Sequence, residues 1–380
     1  MTSHSTSPAG HPLRAEWPLL FGVASTGLFW VFGNAWLANL SNPLWEGFLF
    51  LWHFVAILTS AFGVVRHADC LAIKLGEPFG TLVLTLAVIG MEVMMVAALM
   101  LTGNPEPTMA RDTMFAVVMI VLNALLGIAL LVGGWRHREQ HYNLQGAVSF
   151  LTMLVPLGVA GLVLPYYTAP TATPALTTLR SVALIVITAG LYGVFLAVQT
   201  RRHPDYFQEP TGVVLSDEAA EANEHAHLTV RSLPFHAVLL LLWLLPVVVL
   251  AKKLAVVLQE AAGRLHAPPA LSGMVVAILI LFPEGMAGIR AALGNRLQRS
   301  VNLLFGAALS TIALTVPAVV LISLITGKAI QLGLSPVNQI LLVVTLAVST
   351  LTCMTGRTNV LNGFIHLVLF VAYFILMFEG

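Results

Sequence analysis

The sequence predicts an all-α polytopic membrane protein with about eleven transmembrane helices, arranged as one extra N-terminal helix plus two inverted five-helix repeats. Three observations lead to this fold class. The composition is too apolar for a soluble domain, apolar runs of membrane-spanning length follow one another to the C-terminus, and one long polar stretch divides these runs into two sets.

The composition excludes a soluble globular protein. Of 380 residues, 58% are hydrophobic and 9% are charged, whereas soluble domains carry about 25% charged residues. The formal net charge of +1 gives no sign of a nucleic-acid partner, so we expect the lipid bilayer as the partner and leave a homo-oligomer open. Cys70 and Cys353 lie in unrelated segments without CxxC spacing, which argues against a disulfide framework or an iron-sulfur site.

The apolar runs have the length that a bilayer requires. A hydrocarbon core about 30 Å thick needs roughly 20 apolar residues in each helix. The first run follows a polar tail without a clear cleavage site, so we expect a retained helix rather than a removed signal peptide. The eleven predicted spans are residues 18–38, 45–65, 80–102, 113–134, 146–166, 179–199, 235–258, 271–291, 300–326, 332–352 and 359–378.

The polar stretch from Arg201 to Ser232 separates six spans from five. Setting the first span aside leaves two sets of five. Because five is odd, the second set must enter the membrane in the opposite orientation, as in inverted-repeat transporters. The predicted units are residues 1–44 (tail and first helix), 45–200 (first repeat), 201–233 (cytoplasmic acidic linker) and 234–380 (second repeat).

The positions of the positive charges predict the orientation, because loops rich in Lys and Arg stay in the cytoplasm. With a cytoplasmic N-terminus, most of the 18 lysines and arginines fall in cytoplasmic loops, although the pair Lys252 and Lys253 does not. We therefore expect the N-terminus inside and the C-terminus outside.

Two glutamates are the exceptional residues of the predicted membrane interior. Glu92 and Glu284 lie inside apolar spans, each on the second helix of its set of five. A charge at the bilayer centre costs about 2.5 to 3.5 kcal/mol on insertion scales, so such residues usually face a polar cavity and carry function. An inverted repeat brings equivalent residues together near the midplane. Desolvation and mutual repulsion favour protonated carboxyls there, and a divalent cation would displace the protons. The alternative for each residue is a neutral glutamate bonded to a neighbouring helix.

The following helix of each set carries polar residues that we include as candidate ion ligands. Asn123 interrupts an otherwise apolar run, and its amide is costly to bury without a partner. Ser300, Asn302 and Ser310 lie in the corresponding helix of the second set, together with Thr311. Interhelical hydrogen bonding is the alternative, and we prefer it for the hydroxyl groups. Asn302 is near the start of its helix and would equally well contact water.

Two further acidic features have ordinary alternatives. Glu77, at the opening of the third span, would suit an ion entrance, but a carboxylate at a helix start is also favoured by the helix dipole. The acidic segment from Asp205 to His227 would suit a sensor of calcium or pH. A solvated linker is the more common explanation for such a block of charge.

The sequence does not favour an enzyme. It contains no HExxH, no GxSxG and no paired-cysteine site, so an intramembrane enzyme lacks its usual metal set or nucleophile. A passive channel, which would conduct ions without a proton gradient, is the other alternative to a transporter.

Several long stretches resemble the ChaA-type bacterial calcium/proton antiporters of the cation/calcium exchanger superfamily. The resemblance covers nearly the whole chain and is most specific in five segments: VVRHADCLAIKLGEPFGTLVLTLAVIGMEV, RDTMFAVVMIVLN, GGWRHREQHYNLQGA, PEGMAGIRAALGNRLQRSVNLLFG and GRTNVLNGFIHLVLF. It implies a multi-pass protein of the bacterial inner membrane that exchanges Ca²⁺ for protons by alternating access. No cofactor is expected, because the ions are substrates.

The resemblance also implies the site residues and includes one departure. Glu92 and Glu284 take the places of the glutamates of the two alpha repeats, and Asn123 matches the asparagine of the first repeat. The broader superfamily usually reads GNxxE, whereas this chain has Ile89 and Leu281 three residues before its glutamates. Because calcium prefers six to eight oxygen ligands, the missing amides make Na⁺ or K⁺ exchange at the same site the alternative.

Overall fold

Almost all of the described chain is helical. The computed structural model describes residues 16–76, 79–102, 106–168, 177–210 and 230–379. The helices of these residues are α1 (Trp17–Val31), α2 (Gly33–Leu37), α3 (Pro43–Leu75), α4 (Phe79–Leu101), α5 (Met109–His137), α6 (Leu144–Thr168), α7 (Thr178–Arg202), α8 (Leu233–Leu265), α9 (Ala270–Leu293), α10 (Leu297–Thr326), α11 (Pro336–Cys353) and α12 (Val360–Glu379).

Ten of the described helices, α3 to α12, are long and apolar enough to cross a membrane. They contain between 18 and 33 residues, with a mean hydropathy of 1.6 to 2.8 over the most apolar window. A shorter apolar helix, α1, precedes them. These helices confirm the predicted all-α polytopic class, and each of the spans predicted after the first coincides with one of them.

The ends of several helices differ from the predicted spans, for local reasons. The first predicted span is divided into α1 and α2 at Phe32, just before Gly33, which packs against Lys253. The predicted span at 332–352 begins only at Pro336, because proline suits the first turn of a helix. The helix before it ends at Gly327, whose left-handed backbone (φ 70°) favours glycine.

The loops lie on two opposite faces. One face, called here the linker face, carries residues 203–210 and 230–232 together with a short hairpin in which β1 (Gln140–His141) pairs antiparallel with β2 (Arg357–Thr358). The other, the far face, carries the loops between α4 and α5 and between α10 and α11. These two loops meet where the Gln331 amide donates to the Pro107 carbonyl oxygen at 2.9 Å.

The two sets of helices interlock rather than lying side by side. α3 packs along the length of α8, and both contact α4. The two helices approach closely at Gly63, where the Trp243 ring occupies the space that a side chain would need. α9 in turn packs against α5. The second helix of each set is thereby held at the centre of the protein.

The helix after each glutamate helix contains a π-helical turn near its middle. This turn covers Ile120–Leu125 in α5 and Thr311–Thr315 in α10. A π turn inserts one extra residue into a helix and is frequent at functional sites. This pair lies at corresponding positions of the two repeats, whereas the π turns at Val159–Val163 in α6 and Val198–Arg202 in α7 have no counterpart in the described second half.

Candidate ion-binding site

Glu92 lies at the middle of α4 and is almost completely enclosed by protein. Its side chain is 3% exposed. The Thr311 hydroxyl, from the π turn of α10, donates to Glu92 Oε2 at 3.1 Å, and Thr315, one turn further, faces the same carboxyl. Glu92 Oε1 is buried and has no hydrogen-bond partner among the described residues. This carboxyl therefore retains one unused oxygen at the centre of the protein.

Glu284 lies in the second half of α9, directly after Pro283. Glu92 is the charged group that acts on its carboxyl, so the two carboxyls lie within electrostatic range of each other. Glu284 Oε2 is buried and has no hydrogen-bond partner among the described residues. The structure thus brings the two predicted glutamates together and leaves each with an oxygen available for an ion or a proton.

The two halves support the glutamates in a crossed arrangement. The π turn of α10 contacts α4, and the π turn of α5 contacts α9. The second contact is tight at Gly285, where a Cβ atom would lie 2.7 Å from Leu125 Cδ2. Each half therefore supplies one glutamate. The helix that follows this glutamate helix supports the glutamate of the other half.

A cavity of about 230 Å³ lies against Glu284. It extends toward the linker face, where Gln199, Arg299 and Asn302 line it, and reaches Glu284 at its inner end. Glu92 is not among its lining residues. The two glutamates are therefore unequal in this state, because Glu284 faces the cavity and Glu92 is enclosed.

Residues 203–210, at the start of the predicted linker, pack beside the outer end of this cavity. The Asn302 side-chain amide donates to the Phe207 carbonyl oxygen at 2.6 Å, and Gln298 donates to Asn302 Oδ1 at 2.7 Å. The Phe207 ring packs on Phe150 and Phe195, which both line the cavity. The structure thus places Asn302 at this outer end, with both ends of its amide bonded to protein, and away from the glutamate pair.

The other predicted ligands occupy separate positions. Ser310 lines the cavity and donates to the Ala307 carbonyl oxygen at 3.0 Å, and the buried Ser300 hydroxyl has no partner among the described residues. Asn123 donates to Thr345 Oγ1 at 2.9 Å, and its Oδ1 lies 3.3 Å from His366 Nδ1. Asn123 thus joins α5 to α11 and α12 in this state, and its role as a ligand stays a prediction. Glu77 lies outside the described residues.

Thr311 and Thr315 are the neighbours of Glu92 that the sequence did not single out, since Thr311 was expected only to bond between helices and Thr315 was not a candidate. Hydroxyl groups are common in transmembrane helices and usually bond within the bundle, so Thr311 was assigned to that class. Two signals could have identified the pair. Thr311 and Thr315 are four residues apart and share one face of a helix. Thr315 also follows Glu284 by the same number of residues as Asn123 follows Glu92.

A sequence profile of the family described as "Sodium/calcium exchanger protein" matches residues 45–201 and 235–379. The chain belongs to this family. Within it, the chain is 41% identical over 326 residues to the "Sodium-potassium/proton antiporter ChaA" of Escherichia coli K12, covering 85% of this chain and 87% of that protein. It is 22% identical over 269 residues to a "Ca(2+)/H(+) antiporter" of Synechocystis, covering 68% of this chain and 71% of that protein.

Solved structures of exchangers confirm the fold. The structure of native YfkE superposes with a TM-score of 0.72 at 17% identity, over 96% of this chain and 100% of that chain. The H⁺/Ca²⁺ exchanger CAX gives a TM-score of 0.66 at 15% identity, over 95% and 88% of the two chains. The chain thus has the cation/calcium exchanger fold, with an N-terminal helix and two inverted five-helix repeats, as the sequence predicted.

Proposed function

We propose that this protein is a secondary active cation/proton antiporter that exchanges Ca²⁺ for H⁺ at Glu92 and Glu284 and catalyses no chemical reaction. One observation carries the proposal. Two carboxyls from opposite halves of the chain lie within electrostatic range of each other inside the protein, and each has an oxygen without a partner among the described residues.

Competition for these carboxyls would couple the two ion fluxes. Two carboxylates close together in a desolvated site repel each other, and either protons or a cation removes the repulsion. The Thr311 hydroxyl suits both forms of Glu92, since a hydroxyl has one donor and two acceptor positions. It donates to the carboxylate, and it can turn toward the Ala307 carbonyl oxygen, 3.0 Å away, to accept from the protonated acid. Coupling further requires that the protein does not switch between its inward-facing and outward-facing states while the site is empty and both carboxylates are charged.

A second cavity supports alternating access. It has a volume of about 520 Å³ on the far face, and its lining includes Asp112, Phe115 and Tyr373 but not Glu92. The first cavity is bordered by α4, α6, α7 and α10, with Glu284 of α9 at its inner end, and the second by α5, α11, α12 and the start of α9. These are the corresponding helices of an inverted repeat. The state that completes the cycle would connect Glu92 to the far face and close Glu284 from the linker face.

The identity of the cation has two candidates. A pair of carboxylates matches the charge of Ca²⁺, which is our first candidate. Na⁺ or K⁺ is the second, because Ile89 and Leu281 contribute no side-chain oxygen while calcium prefers six to eight. Among the described residues, no three His, Cys, Asp or Glu side chains form a metal-binding group. The Escherichia coli relative is named for sodium and potassium exchange, which also supports the second candidate.

We further propose a bacterial inner-membrane location with the linker face in the cytoplasm. The excess of Lys and Arg in the loops of this face supports that orientation. The cavity that reaches Glu284 would then open to the cytoplasm.

Everted membrane vesicles with an acidic lumen test the proposal. A fluorescent probe of the proton gradient should report proton release from the lumen when Ca²⁺, Na⁺ or K⁺ is added, and the half-saturating concentrations rank the cations. Glu92→Gln and Glu284→Gln should each abolish the response, because one carboxylate then lacks its exchangeable proton. Glu139→Gln is the matched control, since this glutamate is half-exposed on the linker face and pairs with Arg357.

Two outcomes would contradict the proposal. Wild-type protein that fails to release the gradient with any of these cations would exclude antiport. If both glutamine variants exchanged ions at the wild-type rate, the two-carboxylate site would be wrong.

A further inference from the structure

A buried chain of titratable groups lies on the linker face, outside the proposed ion site. Glu16 precedes α1, His67 lies near the end of α3, and His236 lies in the first turn of α8. Each histidine is 2% exposed. His67 Nδ1 lies 2.9 Å from His236 Nδ1, and His67 Nε2 lies 3.3 Å from Glu16 Oε2. The Arg231 amide, at the end of the linker, donates to His236 Nε2 at 2.8 Å.

The backbone contact assigns every proton along this chain. An amide N–H can only donate, so His236 Nε2 is the acceptor and the proton of the neutral ring lies on Nδ1. His236 Nδ1–H then donates to His67 Nδ1, which leaves the His67 proton on Nε2. That proton points toward Glu16 Oε2, which also accepts from Arg66 and from the Trp243 indole at 2.5 and 3.1 Å. Both rings are neutral, and all three contacts are satisfied at once, because the Arg66 guanidinium, 3.2 Å from His67 Nε2, donates to the same Glu16 oxygen and not to the ring.

One additional proton on either imidazole cannot be accommodated without breaking a contact. The acceptor nitrogens of the pair are His236 Nε2, which faces the Arg231 amide, and His67 Nδ1, which faces His236 Nδ1–H. A proton on either nitrogen places two donors opposite each other. Shifting the proton between the rings only moves the conflict from one contact to the other. Protonation must therefore separate either Arg231 from His236 or the two histidines.

We propose that Glu16, His67 and His236 form a proton-sensitive latch, which fastens the end of the linker and the start of α8 to α3 and the segment before α1, and which one added proton opens. The latch joins elements that bear on the ion site, since α3 and α8 both pack against the Glu92 helix α4. Acidification on the linker face would thus loosen the support of that helix.

The charges around the two histidines disfavour a protonated imidazole while the contacts of the latch remain intact. Glu16, from the segment before α1, is the carboxylate in contact with the pair. Arg66 and Lys74 on α3 and Arg231 on the linker are cations that act on His236. The Arg66 guanidinium also lies 3.2 Å from His67 Nε2. Among the described residues, a further positive charge on His236 is therefore repelled by these three cations and attracted by the Glu16 carboxylate.

Hydrogen exchange measured by mass spectrometry on the full-length protein in nanodiscs tests the latch. Between pH 8 and pH 5.5, after correction for intrinsic rates, peptides covering Arg231 and the first turns of α8 should exchange faster by roughly 2- to 10-fold in acid, the effect of losing one hydrogen bond. His236→Gln should remove this pH dependence, because its amide oxygen still accepts from Arg231 but does not titrate. His141→Gln, an exposed histidine on the same face, is the matched control and should behave as wild type.

The wild-type series decides the matter even if His236→Gln folds poorly. Exchange at Arg231 and the start of α8 that does not change with pH would overturn the latch. A well-folded His236→Gln variant that keeps the full wild-type pH response would also overturn it, because the titrating group would then lie elsewhere.

Discussion

Thr311 shows how the proposed site depends on a single hydroxyl. It is the one side chain seen to donate a hydrogen bond to Glu92 among the described residues. The bond reaches from the second half of the chain to the glutamate of the first half. Its loss would leave a buried carboxylate with less support when it is charged than when it is protonated. We therefore expect the hydroxyl to contribute to ion exchange as well as to packing.

We expect Thr311→Val to weaken cation binding while preserving the shape of the site. A hydrogen bond to a charged group is worth about 1.5 to 3 kcal/mol, so the half-saturating cation concentration in the vesicle assay should rise by roughly 10- to 150-fold. Thr152→Val is the matched control, because its hydroxyl donates only to the Val148 carbonyl oxygen on an exposed face of α6. Equal half-saturating concentrations in wild type and Thr311→Val would show that Thr311 only packs.

Among the residues of the proposed site, the sequence singled out the two glutamates more clearly than the neutral polar side chains. Glu92 and Glu284 stood out because carboxylates within apolar runs are rare and costly. Thr311 did not, because hydroxyls are cheap to bury in helices and only the folded structure shows which one faces a carboxyl. Asn302 was selected by residue type, but the segment that it binds approaches from nearly a hundred positions away in the chain.

Helix packing at the scale of elements centres on α3 and α8. Gly63 allows these helices to approach each other, since a Cβ atom there would lie 2.1 Å from Trp243 Cδ2. Trp243 is 1% exposed, and its indole nitrogen is bonded to Glu16. The ring has little freedom to move, so a side chain at position 63 must separate the helices or displace the ring.

We expect Gly63→Ala to destabilise the protein. Adding one methyl group to a well-packed contact typically costs about 1 to 3 kcal/mol, which should lower the midpoint of thermal unfolding in detergent. Gly47→Ala on the same helix is the matched control, because no atom lies within 4 Å of its added Cβ and alanine is the better helix former. A midpoint for Gly63→Ala equal to that of Gly47→Ala would contradict the tight α3–α8 contact.

The same helices show why the spans were predicted better than their ends. Polar residues after position 65 predicted the end of the second span, yet α3 continues to Leu75. Arg66 and His67 are tolerated there because Glu16 and His236 bind them. Both partners are distant in sequence, so the residues near position 66 do not by themselves predict that α3 continues to Leu75. By contrast, the start of α11 at Pro336 is predictable from local sequence, because proline is favoured at the first position of a helix.

Considered as a whole molecule, the protein is asymmetric although its two repeats are related by inversion. One cavity reaches Glu284, while the corresponding cavity on the far face does not reach Glu92. Two inverted repeats of one fold can both adopt either conformation, so the exchange of their conformations gives the opposite state. Composition and hydropathy determine the class of the protein, but they do not determine which face is open, because that depends on packing differences too small to appear in a residue pattern.

The open side can be measured with one buried serine. Ser310 lines the cavity beside Glu284, whereas Ser349 is also buried but does not line it. A hydrophilic thiol reagent added to everted vesicles should label Ser310→Cys several times faster than Ser349→Cys. It should label Ser310→Cys more slowly in right-side-out vesicles, and a bound cation should slow the reaction further.

The native Cys70 and Cys353 are both buried, so wild-type protein supplies the baseline. Labelling only in right-side-out vesicles would place the linker face outside the cell. Equal labelling in both kinds of vesicle would contradict a cavity that is open on one face, because a site reached from both sides at once would leak the proton gradient that exchange requires.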